Sequence, residues 1–253
     1  MKKAITLILV LCLVAATLLG CASGLGGVLR AANESRDIAA SADNDRPTHV
    51  EDASTPEAKK PPVEEKEEPA QASADGSYVR GTLTDTSFES EHLNLKFTVP
   101  DGFIMGTEDE ILNMMDMGAD ILDLDQKMVD FAMISTVYEM LVSSPFGVPN
   151  LILMAEKQML RNVTEDQYLE ALKSQLVNVS GMDYQFDSEI TDATIAGQKY
   201  RKLTTDVEAY GQAMIQDYIF RKLDDRMVGF IITYTEETRS EMEKLINSFT
   251  TFR

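Results

Sequence analysis

The chain has 253 residues, of which 42 are acidic and 23 basic, and its formal net charge at pH 7 is −19. This acid excess repels phosphate backbones, so we expect no nucleic-acid partner, and we interpret it as a solvated surface in preference to a cation-binding one. Zinc sites of the usual ligand types use Cys or several His; the chain has two of each, and one of the cysteines, Cys12, lies in the N-terminal segment that we predict to be removed.

The first twenty residues have the layout of an export signal. Two lysines precede an unbroken apolar run, residues 4–19, which the small residue Gly20 follows. The run is near the minimum of about 17 residues for a spanning helix, so its length alone leaves a retained membrane helix open. The tetrapeptide LLGC, which ends at Cys21, favours the signal because it resembles the bacterial lipobox.

The lipobox resemblance implies cleavage between Gly20 and Cys21 and covalent attachment of diacylglycerol and N-acyl lipid to Cys21. At least two acyl chains give stable membrane attachment. The alternative is an ordinary signal peptide with a buried cysteine. Because Cys12 lies in the removed segment, Cys21 would be the sole thiol and no internal disulfide could form. Ala22 follows in place of the aspartate that retains lipoproteins at the inner membrane, so we expect the outer membrane where the source has one, and otherwise the outside of the cell membrane.

The next segment, residues 21–77, is rich in Ala, Ser, Asp, Glu and Pro and poor in large apolar residues. It cannot bury enough apolar surface to offset the entropy of ordering, which predicts a disordered tether. A random coil of this length reaches roughly 40 Å. The predicted organisation is therefore a signal peptide at 1–20, a tether at 21–77 and one domain at 78–253.

The start of the domain predicts strands followed by helix. The segment SFESEHLNLKFTVPDGF, residues 87–103, predicts one or two strands closed by a Pro-Asp-Gly turn. Thr107 and Glu110 are spaced as a capping box, so a helix should begin there with Ile111 on its apolar side. We interpret the ambiguous residues 119–133 as a second short helix.

A hairpin and the clearest internal helix come next. TVYEMLV at 136–142 and NLILMAEK at 150–157 predict two strands joined by a turn around Pro145. Thr164 and Gln167 form a second capping box. One face of the helix that follows is apolar, with Tyr168, Leu169, Leu172 and Leu176.

The last part predicts four strands and a closing helix. The first strand ends at a turn at Ala196 and Gly197, which leads into the second, KYRKLTTDVEA; QAMIQDYIFRKL and MVGFIITYT are the third and fourth. The last strand is apolar on both faces, which predicts a central, covered position. The closing helix should begin near residues 235–238. Its buried stripe would comprise Met242, Leu245, Ile246 and Phe249.

The predicted order is thus β-β-α-β-β-α-β-β-β-β-α, an α+β fold whose mostly antiparallel sheet is sandwiched by helices. The chain here resembles the PsbP-like and Mog1-like α/β/α sandwich domains. The segments that carry the resemblance are LKFTVPDGF, SSPFG, TEDQYLEALKSQL, IAGQKY and FIITYT. The resemblance implies a non-enzymatic module that docks to another protein, and it assigns no functional residue. PsbP-type domains assist a photosynthetic complex, whereas Mog1-type domains bind a cytoplasmic GTPase that an exported protein would not meet.

Candidate catalytic and metal-binding groups are sparse. His49 lies in the tether, so His92 alone could serve a nucleophile, and no nucleophile motif accompanies it; we expect a surface histidine. Four aspartates could indicate a calcium site, but they are not spaced as in an EF-hand loop. Three methionines could indicate a copper(I) site, but their spacing favours the buried side of a helix. These residues are Asp116, Asp120, Asp123 and Asp125, and Met114, Met115 and Met117.

The sequence therefore predicts an extracytoplasmic, lipid-anchored lipoprotein with no catalytic residue, no metal site and no cofactor beyond the lipid on Cys21. Its expected role is a binding or accessory module for an envelope protein or complex. Two alternatives stay open. One is a cell-wall hydrolase that uses paired carboxylates, since acidic residues are abundant. The other is an extracytoplasmic ligand-binding or cation-binding protein.

Overall fold

The computed structural model describes residues 78–113, 135–160, 162–179, 181–186, 189–209 and 211–253. The predicted signal peptide, the tether and the second short helix at 119–133 lie outside these residues. None of the helices in the described ranges is long and apolar enough to span a bilayer.

Strands dominate the described chain. A short helical stretch occupies residues 108–113. The other elements, in chain order, are β1 Thr82–Leu83, β2 Ser87–Ser90, β3 Leu95–Thr98, β4 Ile104–Met105, β5 Thr136–Ser143, β6 Asn150–Lys157, α1 Glu165–Leu176, β7 Met182–Gln185, β8 Thr191–Ile195, β9 Gln198–Ala209, β10 Gln212–Leu223, β11 Arg226–Tyr234, α2 Arg239–Ile246 and β12 Phe249–Thr250.

The strands form two sheets, and every strand pair is antiparallel. The large sheet has the order β4-β5-β6-β11-β10-β9-β7, with β8 on the same edge of β9 as β7. The small sheet has the order β1-β2-β3-β12. The mostly antiparallel fold that the sequence predicts is confirmed.

Strand β11 occupies the middle of the large sheet and is buried along its whole length. Met227 and Ile231 enter the core on one face, whereas Val228 and Phe230 enter the core on the other. Successive side chains of a strand point to opposite faces of the sheet, so a strand that is apolar at every position must be covered on both faces. The predicted central position is therefore confirmed.

The two faces of the large sheet are covered differently. On one face lies α1, which buries Tyr168, Leu169, Leu172 and Leu176. On the other face lie the small sheet, through Phe88, Phe97 and Phe249, and α2, through Met242 and Leu245. The predicted sandwich of helices is not confirmed, because a second sheet supplies much of the cover on this second face.

Both capping boxes form as predicted. The Thr107 hydroxyl accepts from the Glu110 N–H at 3.2 Å, and the Thr107 N–H donates to the Glu110 carboxylate at 2.8 Å. Thr164 and Gln167 exchange the equivalent pair of bonds at the start of α1. These bonds satisfy helix N–H groups that have no partner within the helix.

The closing helix is shorter than predicted. It ends at Ile246, and Phe249 belongs instead to β12, where it pairs with Phe97 of β3 and packs against its ring at 4.5 Å. Phe249 follows Leu245 by four positions, which is also the spacing of a helical stripe. The sequence pattern therefore could not tell whether Phe249 continues the helix or begins a strand. Strand β7 was not predicted because only Tyr184 of its four residues is buried.

Candidate functional site

Two neighbouring clefts lie on the face of the large sheet that carries α2. The first, which we call the α2 cleft, has a volume of about 360 Å³ and lies between α2, β8 and the middle of β9 and β10. The second, the acidic cleft, has a volume of about 350 Å³ and lies over the ends of β7, β9 and β10, next to residues 235–237. Thr235 lines the acidic cleft and Arg239 lines the α2 cleft, so the short link between β11 and α2 separates the two clefts.

Strand alternation sets the floor of the α2 cleft. Side chains two residues apart on a strand share a face, so Lys202 and Thr204 of β9 lie beside Asp217 and Ile219 of β10. The register pairs Thr204 with Asp217 and Lys202 with Ile219. The Asp217 carboxylate therefore lies on a face of the sheet where neighbouring residues such as Ile219 are apolar.

Asp217 is the buried charge of this cleft, with a residue exposure of 3%. One carboxylate oxygen accepts from the Thr204 hydroxyl at 2.5 Å and lies 3.7 Å from the Lys202 ammonium. The other accepts from the Tyr234 hydroxyl at 3.3 Å. A buried carboxylate needs such partners because it has lost its hydration.

Tyr234 links the floor of the cleft to its mouth. Its hydroxyl also lies 3.4 Å from a terminal nitrogen of Arg239, whose guanidinium stacks 5.2 Å from the ring centre. Burial, and secondarily the charge of Asp217, raises the pKa of Tyr234, so the phenol stays protonated. Glu236 binds the outer side of the guanidinium with two hydrogen bonds, which raise the pKa of Arg239 and lower that of Glu236.

The acidic cleft concentrates carboxylates around a small apolar floor. Asp183, Asp206 and Glu208 are exposed side chains of β7 and β9. Glu236 and Glu237 join them from the link before α2. In the described ranges, no Lys or Arg forms an ion pair with Asp183, Asp206 or Glu208. The negative charge of this cleft is therefore open to a cationic group from outside.

Two further carboxyl groups are buried away from both clefts. Glu139 of β5 accepts from the Tyr78 hydroxyl at 2.6 Å and from the Gly81 N–H at 2.9 Å. Arg226 lies 4.5 Å above the Tyr78 ring. Burial raises the pKa of Glu139, and those two hydrogen bonds and the charges of Arg80 and Arg226 partly oppose it. We call Tyr78, Glu139, Arg80 and Arg226 the Glu139 cluster.

Glu156 of β6 is the second such carboxyl. Its side chain accepts from the Tyr168 hydroxyl of α1 at 2.6 Å. Burial raises its pKa from 4.5 to about 7, although the hydrogen bonds from Tyr168 and Gln158 lower it. The bond ties α1 to the sheet through a group that titrates near neutral pH.

This raised pKa predicts a pH-dependent stability. Between pH 4.5 and about 7 the folded chain holds a proton on Glu156 that the unfolded chain releases, so the free energy of unfolding should fall as pH rises through this window. The full contribution is present below pH 4.5, and its loss amounts to at most roughly 3 kcal/mol. Urea unfolding at several pH values should show a shallower fall for Glu156→Gln than for the exposed control Glu170→Gln. Equal slopes would contradict the assignment.

The sequence-predicted site residues are only partly described. Gly20 and Cys21 lie outside the described residues, as do all the aspartates and methionines considered for calcium and copper(I). His92 is partly exposed; it meets the Tyr78 ring edge-on at 4.9 Å and lies 4.0 Å from Asp224. Within the described ranges, no three His, Cys, Asp or Glu side chains are grouped so as to hold a metal ion.

Sequence reasoning missed the buried charges. Asp217 and Glu139 each interrupt a strand that is otherwise largely apolar, and that interruption was the available signal. In β10 the alternation places Asp217 on the same face as Ile215 and Ile219, which could have marked it as buried. Arg239, which Tyr234 links to Asp217, comes from α2, which no local pattern connects to β10.

Comparisons with known proteins give limited likenesses. No family model matches the chain, and no curated protein matches it significantly. It is similar to the solution structure of cyanobacterial PsbP (CyanoP) from Synechocystis sp. PCC 6803, with a TM-score of 0.43 and 11% identity over 68% of this chain and 95% of that one. It is also similar to a crystal structure from Bacteroides thetaiotaomicron VPI-5482, with a TM-score of 0.37, 10% identity and coverage of 68% of this chain and 50% of that one. Both TM-scores are below 0.5, so neither likeness carries an argument about fold or function.

Proposed function

We propose that the chain is an exported lipoprotein, anchored through acylated Cys21, whose domain is a non-enzymatic binding module for a protein of the cell envelope. The lipobox-like LLGC and the apolar run before it support the anchor. The tether at residues 21–77 would let the domain reach a partner that does not lie against the membrane.

The acidic cleft is the observation that carries the binding role. Asp183, Asp206 and Glu208 lie together in a concavity, and no described basic side chain neutralises them. Like charges held together repel one another, and a basic partner surface would relieve that repulsion and steer association. We infer a partner that presents Lys or Arg to this cleft.

The paired-carboxylate hydrolase is less well supported. Its general acid needs a raised pKa and must reach a substrate. The two described carboxyls whose pKa is raised are Glu139 and Glu156, and neither lines a cleft. Both are 1% exposed and bound to tyrosine hydroxyls. This placement favours structural roles for them.

Crosslinking in cells followed by capture of the lipidated chain tests the proposal. The variant Asp183→Asn/Asp206→Asn/Glu208→Gln should recover the partner at least tenfold less than the unaltered chain, since it removes the unpaired charges of the cleft. The matched control Asp85→Asn/Asp101→Asn/Glu170→Gln removes three exposed carboxylates elsewhere and should recover it normally. The recovered partner should also dissociate at higher salt.

A second control separates the anchor from the cleft. Cys21→Ser cannot be acylated, and its residues 1–20 are exchanged for an ordinary cleavable export signal so that an uncut apolar run cannot itself hold the chain in the membrane. This form should leave the membrane fraction while keeping its affinity for the purified partner. Equal capture by the cleft variant and its control would overturn the assigned surface. Membrane retention of the exchanged Cys21→Ser form would overturn the lipid anchor.

A further inference from the structure

The α2 cleft has positively charged donors without enough acceptors. The Lys202 ammonium lies 3.7 Å from Asp217, beyond hydrogen-bond distance, and its side chain is 32% exposed. Arg239 donates two hydrogen bonds to the Glu236 carboxylate, and its third nitrogen lies within hydrogen-bond distance of the Tyr234 hydroxyl. A guanidinium has five N–H donors, so at least one remains. Both cations line the same cleft and are linked through Asp217 and Tyr234.

Asp217 lies beside Lys202 and is connected to Arg239 only through the Tyr234 hydroxyl, and it cannot itself take a further cation easily. Its oxygens already accept from Thr204 and Tyr234 and face Lys202. Burying a charge among apolar side chains is rarely the most stable solution, and an apolar substitute is often neutral or better. The charged arrangement at the floor of an open cleft therefore points to a binding role.

The rest of the lining combines apolar and polar side chains, and the apolar ones come from three elements. Ala193 and Ile195 of β8 form one wall, Ile219 of β10 forms part of the floor, and Met242 and Ile246 of α2 form the opposite wall. A cleft of about 360 Å³ is at the small end of the range for ligand sites. An apolar body of a few carbon atoms would contact these side chains, and a negatively charged head would meet the spare donors.

We propose that the α2 cleft binds a small organic carboxylate with an apolar body, whose carboxylate lies between Lys202 and Arg239. This site is separate from the acidic cleft and goes beyond the proposed docking function. Of the nearby carboxylates, Asp192 pairs with Arg201, which also binds Asp166, and Glu236 pairs with Arg239, so the ligand carboxylate would share Arg239 with Glu236. Glu243, on α2, would favour a ligand with a single compact head over a polyanion.

Calorimetric titration of the purified full chain with hexanoate and with hexanamide tests this site. Hexanamide has nearly the same shape without the charge. Hexanoate should bind at least roughly tenfold more tightly, which is the effect of one charge-assisted hydrogen bond. Lys202→Met and Arg239→Met should each weaken hexanoate binding by a similar factor and leave hexanamide unchanged.

Matched variants keep the test independent of folding. Lys199→Met lies on the same strand as Lys202, and Lys244→Met lies on the same helix as Arg239; both side chains are exposed and outside the cleft. These controls should bind hexanoate normally, and Lys202→Arg should retain most of the binding. Absence of hexanoate binding, equal affinity for hexanamide, or equal loss in the controls would overturn the site. None of these outcomes bears on partner capture through the acidic cleft.

Discussion

Replacing Glu139 by alanine should lower the free energy of unfolding by roughly 3 kcal/mol or more. The change leaves the buried Tyr78 hydroxyl and the Gly81 N–H without their acceptor, and each unsatisfied donor costs about 1–3 kcal/mol. It also removes a buried carboxyl group near Arg226, a side chain that is itself only 3% exposed and whose charge partly opposes the rise in the Glu139 pKa. Urea denaturation followed by circular dichroism measures the effect.

Glu139→Gln should cost less than half as much, because its amide keeps one acceptor and nearly the same shape. Tyr78→Phe removes only the donor and should cost about 1 kcal/mol. The double variant Tyr78→Phe/Glu139→Gln should be less destabilised than the sum of the single variants, since the two side chains share one hydrogen bond. Additive effects would show that this bond contributes little.

The Glu139 cluster also ties the first described residues to the large sheet. Tyr78, the first described residue, is 2% exposed and is held by Glu139 and by stacking with Arg226. The predicted tether ends at residue 77, directly before this anchoring residue.

The sequence was most informative where one local pattern determines the structure. The turn at Ala196 and Gly197 has φ angles of 49° and 71°, the conformation that a tight two-residue hairpin requires. The run QAMIQDYIFRKL matches β10 residue for residue. Strand alternation and turn preferences depend on only a few neighbouring residues, so they can be recognised in the sequence without knowledge of the tertiary contacts.

The buried charges depend on contacts that local patterns do not contain. Glu139 lies at a register shift between β5 and β6, where Tyr138 and Met140 oppose successive residues of the partner strand. Such a bulge adds a residue and changes the direction of the side chains that follow. Alternation along TVYEMLV therefore could not place Glu139 against Tyr78, which is 61 residues away in the sequence.

Gly229→Ala should be the most damaging single-methyl addition in the described sheet. Gly229 lies in the central strand opposite Phe220, and a Cβ there would come within 2.2 Å of the Phe220 ring. The ring cannot move aside freely, because it is 0% exposed and packs against Tyr168 of α1 at 4.9 Å. Overpacking a core typically costs 1–3 kcal/mol and more where nothing can shift, so we expect a loss of about 3 kcal/mol or failure to fold.

A second substitution distinguishes steric conflict from a general intolerance of β11. Gly229→Ala/Phe220→Leu shortens the opposing side chain and should recover part of the lost stability, although Phe220→Leu alone should destabilise the protein. Gly102→Ala serves as the control for backbone effects, since its φ is +92° and no atom lies within 4 Å of the added methyl group. It should cost about 1 kcal/mol through strain alone. If Phe220→Leu fails to rescue Gly229→Ala, the close approach of ring and backbone is not what requires glycine at this position.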